Sequence, residues 1–177
     1  KDVDDIKNIE GVEGVYPTYS IDVISIYNST EKVLKVHGLD LNKLNDKKNY
    51  INQLKLIKGR LPQKSGECVL EIPKIKALNY PIGSEISLSS GKDDKLSKSL
   101  SKSKYKVVGY VETPYYLSQE KGNSSIGGGV IEGAIMIPES DFKMDTYTEM
   151  FLTVKSAKEL DTYGDEYSNL VKTVTDK

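Results

Sequence analysis

The chain has few side chains that could carry out catalysis or hold a metal ion. Its single histidine, His37, lies beside Gly38 in a run of β-branched residues, without a serine or cysteine placed to form a catalytic pair. Its single cysteine, Cys68, lies in an apolar segment typical of a buried strand, where a thiol is inert. These counts exclude a multi-histidine metal site, a cysteine zinc cluster and an internal disulfide. We therefore expect a non-catalytic chain with no metal and no cofactor.

Acidic pairs and a glycine run also fall short of catalytic or phosphate-binding patterns. The adjacent acidic pairs are Asp4 and Asp5, Asp93 and Asp94, and Asp165 and Glu166. Residues one position apart do not face each other on a helix, so these carboxylates are not placed for general acid-base chemistry. The glycines at 127–129 are not followed by a lysine and a serine or threonine, and no helix starts there. We interpret the pairs as solvated surface and the glycines as part of a flexible loop.

Aromatic and aliphatic residues stand out around a glycine- and serine-rich stretch at residues 118–133. A loop of this length in a compact domain is usually functional or disordered. Apolar side chains in such a loop are candidates for contact with a partner, whereas ordinary packing within the fold is the alternative. The candidate partner-binding residues are Tyr115, Tyr116, Ile126, Val130 and Ile131.

The segment LIKGRLPQKSGECVL at residues 56–70 is the strongest structural signal in the chain. It predicts a strand, a polar corner and a second strand from Glu67 to Glu71. Gly59 and Gly66 suit positions of positive φ, and Pro62 fixes φ without donating a hydrogen bond. We therefore expect a rigid, exposed corner between two strands.

Both ends of the chain show helical periodicity. Val3, Ile6 and Ile9 form one apolar stripe on a short first helix. Ser156 with Glu159 three residues later matches a capping box and predicts the start of a last helix that runs to about residue 174. Both helices should lie next to a strand.

The middle of the chain is rich in β-branched and aromatic residues. Strands are predicted over residues 15–27, 33–39, 54–56, 67–72, 85–89, 105–113, 134–137 and 146–154, with a short helix over 73–78 and a helical turn over 138–142. The serine- and lysine-rich segment 89–104 contains too little apolar surface to order itself, so we expect a mobile loop. The fold class is α+β, with one αβ subdomain made from residues 1–40 and 146–177 and an inserted β-rich subdomain at 41–145.

Several short motifs occur in an order that resembles the extracytoplasmic domain of FtsX-like permeases, the MacB-like core domain of ABC transporters. They are GVYP at 14–17, VHG at 36–38, GRLP at 59–62, SGECVL at 65–70, IGSEISL at 82–88, YKVVGYV at 105–111 and IMIP at 135–138. Ser84 and Glu85 stand where the family commonly has aspartate. In the family, the two subdomains are called porter and sabre, and the chain ends continue into transmembrane helices.

The resemblance implies a role outside the cytoplasmic membrane. In such transporters, ATP hydrolysis in the cytoplasm moves the transmembrane helices, and the outer domain passes the movement to a substrate or partner. The implied partners are an ABC ATPase subunit, a second permease copy or domain, and a peptide, lipid or protein substrate. The transmembrane helices would then lie outside this chain. A secreted or surface-anchored β-rich binding or adhesion module is the alternative.

Charge and hydropathy fit either interpretation. The chain has 25 basic and 26 acidic residues among 177, a formal net charge of −1, so it lacks the electrostatic footprint of a nucleic-acid-binding protein. No apolar run approaches the roughly 20 residues that span a bilayer. We therefore expect no nucleic-acid partner and a fold formed outside the bilayer.

Overall fold

The computed structural model describes residues 3–44, 46, 51–72, 79–91, 95–116 and 120–177. Strands predominate in this part, which confirms the mixed, mostly β composition expected from the sequence. In chain order the elements are α1 (Val3–Lys7), β1 (Val12–Thr18), β2 (Ser20–Tyr27), β3 (Thr30–Leu39), β4 (Lys55–Gly59), β5 (Glu67–Glu71), β6 (Glu85–Ser89), β7 (Lys104–Glu112), β8 (Gly133–Pro138), β9 (Glu149–Val154) and α2 (Asp165–Thr175). One-turn 3₁₀ helices cover Leu96–Lys98, Glu139–Asp141 and Ala157–Glu159.

The chain divides into two compact units. The smaller unit consists of Lys1–Pro17 and Glu149–Lys177, and the larger unit consists of Thr18–Thr148. This division differs from the predicted one because residues 18–40 and 146–148 fall in the larger unit. The reason is that β2 and β3 are inner strands of a seven-stranded sheet, where each is hydrogen-bonded on both edges.

The smaller unit joins the two ends of the chain. β1 and β9 form a two-stranded sheet, and the Lys155 amide donates to the Gly11 carbonyl at 2.9 Å. Val174 of α2 is buried and lies against Gly11, whose φ is +95°. The Lys177 ammonium lies 3.3 Å from the Glu10 carboxylate. Residues from both ends of the sequence therefore stabilise one unit.

The last helix begins later than the capping-box pattern predicts. Ser156 has a left-handed φ of +60° and makes no capping hydrogen bond, and only a 3₁₀ turn follows it. The α-helix starts at Asp165, where Asp165 and Glu166 place negative charge at the positive end of the helix dipole. Tyr163, predicted to lie on the apolar stripe, is 98% exposed. The capping-box prediction was wrong because Ser156, the first residue of the motif, has a left-handed backbone and its side chain does not cap a helix.

The predicted long strand over residues 15–27 is two strands. β1 pairs with β9, whereas β2 pairs with β3 and β6 in a different sheet. Between them, the Tyr19 carbonyl accepts from the Gly38 amide at 2.9 Å. The predicted hairpin corner after β2 is confirmed: Asn28 and Ser29 both have positive φ, which suits a tight turn between twisted antiparallel strands.

The sheet of the larger unit closes on itself. Its strand order is β4-β7-β5-β8-β3-β2-β6, and β6 pairs also with β7. The β3–β8 and β5–β7 pairs are parallel, and the other pairs are antiparallel. Because side chains alternate between the two faces of a strand, one set points into the closed sheet and the other points outward.

Apolar side chains occupy both faces. The inner core consists of Val23, Leu34, Val36, Cys68, Leu70, Tyr80, Ile86, Leu88, Leu100, Tyr105, Val107, Tyr110, Ile135 and Ile137. Two smaller clusters lie among the other buried residues: Leu39, Val69, Val108, Val111, Ala134 and Met136 in one, and Ile24, Val33, Ile126 and Ile131 in the other. Loops must cover these outer clusters, and those loops contain the candidate functional residues.

The structure describes residues 89–91 and 95–104 of the serine- and lysine-rich segment, and the second part packs against the core. Leu100 is 1% exposed and belongs to the inner core. The Ser101 amide donates to the Asp141 carbonyl at 2.8 Å, and the Lys143 amide donates to the Ser99 carbonyl at 2.9 Å. For residues 95–104 the expectation of a mobile loop was wrong, because one buried leucine and main-chain bonds to a distant segment outweigh a polar composition. The predicted helix over 73–78 lies outside the described residues.

Candidate functional site

The predicted corner after β4 is held by a charged pair that the motif did not reveal. Arg60 donates two hydrogen bonds to Glu67, at 2.7 and 2.5 Å, and the Gln63 amide donates to the same carboxylate at 3.0 Å. Glu67 is 5% exposed. The Arg60 hydrogen bonds lower the pKa of Glu67 to about 2, despite the opposing effect of its burial. The arginine of the GRLP motif is therefore a structural clamp across the corner.

A buried carboxylate fixes the other side of the corner. Asp141 is 1% exposed and accepts hydrogen bonds from the Ser65 hydroxyl, from the Gly66 amide at 3.0 Å and from the Ser101 hydroxyl at 3.3 Å. Burial and, to a smaller extent, the negative charge of Asp141 raise the pKa of the Tyr105 phenol. Asp141 thus ties the corner to the serine-rich segment, although these three parts are far apart in sequence.

Tyr115 and Tyr116, two of the predicted partner-binding residues, pack around His37. The His37 and Tyr115 rings stack with centroids 4.4 Å apart, and His37 Nε2 lies 2.8 Å from the Tyr116 hydroxyl. His37 is 3% exposed, and the two tyrosines that cover it are partly buried. Both tyrosines also pack against the outer cluster that contains Val69 and Val108.

A buried ion pair completes this group. Lys121 Nζ lies 2.5 Å from Glu71 Oε2, and both side chains are less than 10% exposed. The same ammonium lies 4.5 Å from the centroid of the Tyr116 ring, a cation–π distance. We call Tyr115, Tyr116, His37, Glu71 and Lys121 the His37 cluster. It fixes the start of the glycine-rich segment to β3 and β5.

Ile126, Val130 and Ile131, the other predicted residues, lie in a short hairpin over residues 122–131. The Ile131 amide donates to the Gly122 carbonyl at 3.1 Å, and the Ser124 amide donates to the Gly129 carbonyl at 3.0 Å. Ile126 and Ile131 are each 4% exposed in the outer cluster with Ile24 and Val33, whereas Val130 is 55% exposed. Of the three, Val130 alone presents most of its side chain to solvent.

The structure thus divides the five predicted residues between two places. The tyrosines belong to the His37 cluster, and the isoleucines anchor the 122–131 hairpin. Sequence reasoning missed Glu71 and Lys121, which are 50 positions apart and carry no local signal of pairing. The high proportion of glycine predicted flexibility, but the hairpin is pinned by the two isoleucines on either side of its glycines.

The remaining candidates for chemistry are buried or dispersed. Cys68 is fully buried, and burial raises the pKa of its thiol, as expected for an inert strand residue. Across the described ranges, no group of three or more histidine, cysteine, aspartate or glutamate side chains is arranged to hold a metal ion. None of the helices found in the described segments combines the length and the apolar character needed to cross a bilayer.

Comparisons with known proteins give similarity at the level of structure. No protein-family model matches the chain, and no curated protein sequence does. The extracellular domain of the noncanonical ABC-type transporter YknZ from Gram-positive bacteria matches with 11% identity and a TM-score of 0.48, covering 97% of this chain and 80% of that one. The periplasmic region of MacB from Actinobacillus actinomycetemcomitans matches with 13% identity and a TM-score of 0.48, covering 99% and 73%.

Proposed function

We propose that this chain is the extracellular domain of an ABC transporter permease subunit of the FtsX-like, MacB-like class. In this role it catalyses nothing and transmits ATP-driven movement to an extracellular substrate or partner. The order of the motifs along nearly the whole chain supports the assignment. Its expected partners are an ABC ATPase subunit, a second permease copy or domain, and a peptide, lipid or protein substrate.

The observation that carries the proposal is the shared fold of the two chain ends. β1 and β9 pair in the smaller unit, and Lys177 lies 3.3 Å from Glu10. If both ends continue into transmembrane helices, movement of those helices acts on this one unit. We therefore assign the smaller unit as the membrane-proximal, porter-like subdomain and the larger unit as the inserted, sabre-like subdomain, with boundaries at 17/18 and 148/149.

The hydrogen bonding of the larger unit supports a role that needs a stiff body. Its sheet closes through the β6–β7 pair, so no inner strand can move without breaking hydrogen bonds on two edges. Two-state mechanical coupling requires rigid elements that move as bodies. Partner recognition is assigned to the residues predicted from sequence, with Val130 at the exposed part of the 122–131 hairpin and with Tyr115 and Tyr116 in the His37 cluster.

Electron paramagnetic resonance on the full-length membrane protein with its ATPase tests the proposal. One spin-label pair, Lys158→Cys with Ile26→Cys, reports between the units, and both positions are well exposed. The control pair, Ile26→Cys with Lys55→Cys, lies within the larger unit, and buried Cys68 should stay unlabelled. We expect trapping of the ATP-bound state to shift the first distance and leave the second unchanged.

Two results would overturn this assignment. One is recovery of the full-length protein without membrane-spanning segments, as a secreted adhesion module would behave. The other is an inter-unit distance that stays the same with and without nucleotide in a transporter that hydrolyses ATP.

A further inference from the structure

Two polar segments of the larger unit meet beside β2 and β3 and line an open pocket of about 330 Å³. The serine- and lysine-rich segment supplies one wall, and the 122–131 hairpin supplies another. The lining residues are Ser20, Ile21, Asp22, Lys35, Ser90, Lys95, Leu96, Ser99, Ser125 and Ile126. All of them belong to the larger unit.

The floor of the pocket is an ion pair held by the sheet. Asp22 and Lys35 are directly opposite each other in the β2–β3 register, and Lys35 Nζ lies 2.9 Å from Asp22 Oδ1. The Ser124 hydroxyl donates to Asp22 Oδ2 at 2.6 Å. These contacts largely neutralise Asp22 and fix the position of the Lys35 ammonium.

The walls are held against the same strands by close packing. A Cβ atom on Gly91 would lie 2.7 Å from Ile24 Cδ1, and one on Gly127 would lie 2.7 Å from Val33 Cγ2. Both glycines have positive φ, and Ile126 packs in the same cluster. The pocket is therefore formed before a ligand binds.

Several hydrogen-bonding groups in the pocket have no protein partner. Among the residues that the structure describes, the hydroxyls of Ser20, Ser99 and Ser125 make no hydrogen bond, and Lys95 makes no ion pair. Ser20 is 8% exposed and Ser99 is partly buried, whereas Ser125 and Lys95 are exposed at the mouth of the pocket. Among the lining residues that the structure describes, Lys95 and Lys35 stand against Asp22, which leaves a surplus of one positive charge.

We propose that this pocket binds a small polyol that carries one phosphate group. An ammonium group binds phosphate as a point charge, and the unpaired hydroxyls add donors for its oxygens. Serine hydroxyls both donate and accept, which matches the hydroxyls of a polyol. Leu96 and Ile21 supply apolar contact for its carbon atoms, and the volume lies near the lower limit for small-molecule sites. The inference is independent of the proposed transport role.

Calorimetry and NMR titration of the chain with sn-glycerol 3-phosphate test the proposal, with glycerol, inorganic phosphate and glycerate as comparison ligands. We expect glycerol 3-phosphate to bind with a Kd in the millimolar range or tighter and more tightly than the other three. Lys95→Gln should weaken binding by about tenfold, because it removes a charged hydrogen-bond donor. The matched control is Lys98→Gln, which removes the same charge from the same segment at a residue that does not line the pocket.

Lipid vesicles test whether the phosphate group that binds belongs to a lipid headgroup or to a free or polymeric polyol phosphate. Binding to phosphatidylglycerol vesicles but not to phosphatidylcholine vesicles, with loss in Lys95→Gln, assigns a lipid headgroup as the ligand. Binding of glycerol 3-phosphate without vesicle binding assigns a free or polymeric polyol phosphate. The proposal is overturned if glycerol 3-phosphate produces no shift at about 10 mM, if glycerol or glycerate binds equally well, or if the two lysine variants behave alike.

Discussion

Replacing Leu100 with alanine tests whether the serine- and lysine-rich segment packs against the core, as in the structure, or is a mobile loop, as its composition suggests. Leu100 lies in a segment dominated by serine and lysine, yet it is 1% exposed and contacts the inner core of the closed sheet. If the segment were a mobile loop, truncating this side chain would change the free energy of unfolding by no more than about 0.5 kcal/mol. In the structure, the substitution leaves a cavity in the core.

The expected size of the effect follows from burial. Transfer of a leucine side chain out of water contributes about 1.5–3 kcal/mol, and the cavity raises the cost of a buried leucine-to-alanine change to about 2–5 kcal/mol. For a chain of this length, a loss of about 3 kcal/mol lowers the Tm by roughly 6–12 °C. The neighbouring substitution Ser97→Ala, at an exposed position of the same segment, should have almost no effect.

Urea unfolding followed by tyrosine fluorescence and circular dichroism measures both variants, since the chain has 12 tyrosines and no tryptophan. Amide hydrogen exchange at residues 95–104 then locates the change, because the two compact units can unfold separately. If Leu100→Ala and Ser97→Ala had equal stability, the assignment of Leu100 to the core would be refuted.

Three further predictions test other contacts. The pKa of Glu67 is lowered to about 2 in the folded chain, from an unfolded-state value near 4.5. The Glu67 carboxylate therefore stabilises the fold fully above about pH 4.5, and this contribution is lost as the pH falls from there towards 2. Glu67→Gln should abolish this part of the pH dependence of stability in urea unfolding. In thermal unfolding, Gly11→Ala should destabilise the smaller unit by more than about 1 kcal/mol, because Gly11 has a φ of +95° and the new Cβ would lie 2.6 Å from Val174 Cγ2. The control is Gly83→Ala, where φ is +96° and the space around the new Cβ is open. It should show only the cost of the backbone conformation. Cys68 should react with a thiol reagent only upon unfolding, since burial raises its pKa, and a fast reaction of the native chain would contradict its placement in the inner core.

The sequence alone determined the local features of the fold. Alternation of apolar residues placed most strands correctly, and positive-φ glycines at 59 and 66 marked the corner between β4 and β5. The turn at Asn28 and Ser29 and the helical turn after Pro138 were likewise predicted, because turn conformations depend on neighbouring residues. Such features need no knowledge of distant contacts.

Tertiary structure decided which distant residues meet. Lys121 pairs with Glu71, Asp141 accepts from the Gly66 amide, and burial of Leu100 orders a segment whose composition predicts mobility. Periodicity tells which side chains share a face, but not which other segment covers that face. The pocket lined by Ser90, Lys95, Leu96, Ser99, Ser125 and Ile126 therefore arises only when the closed sheet brings β2, β3 and both polar segments together.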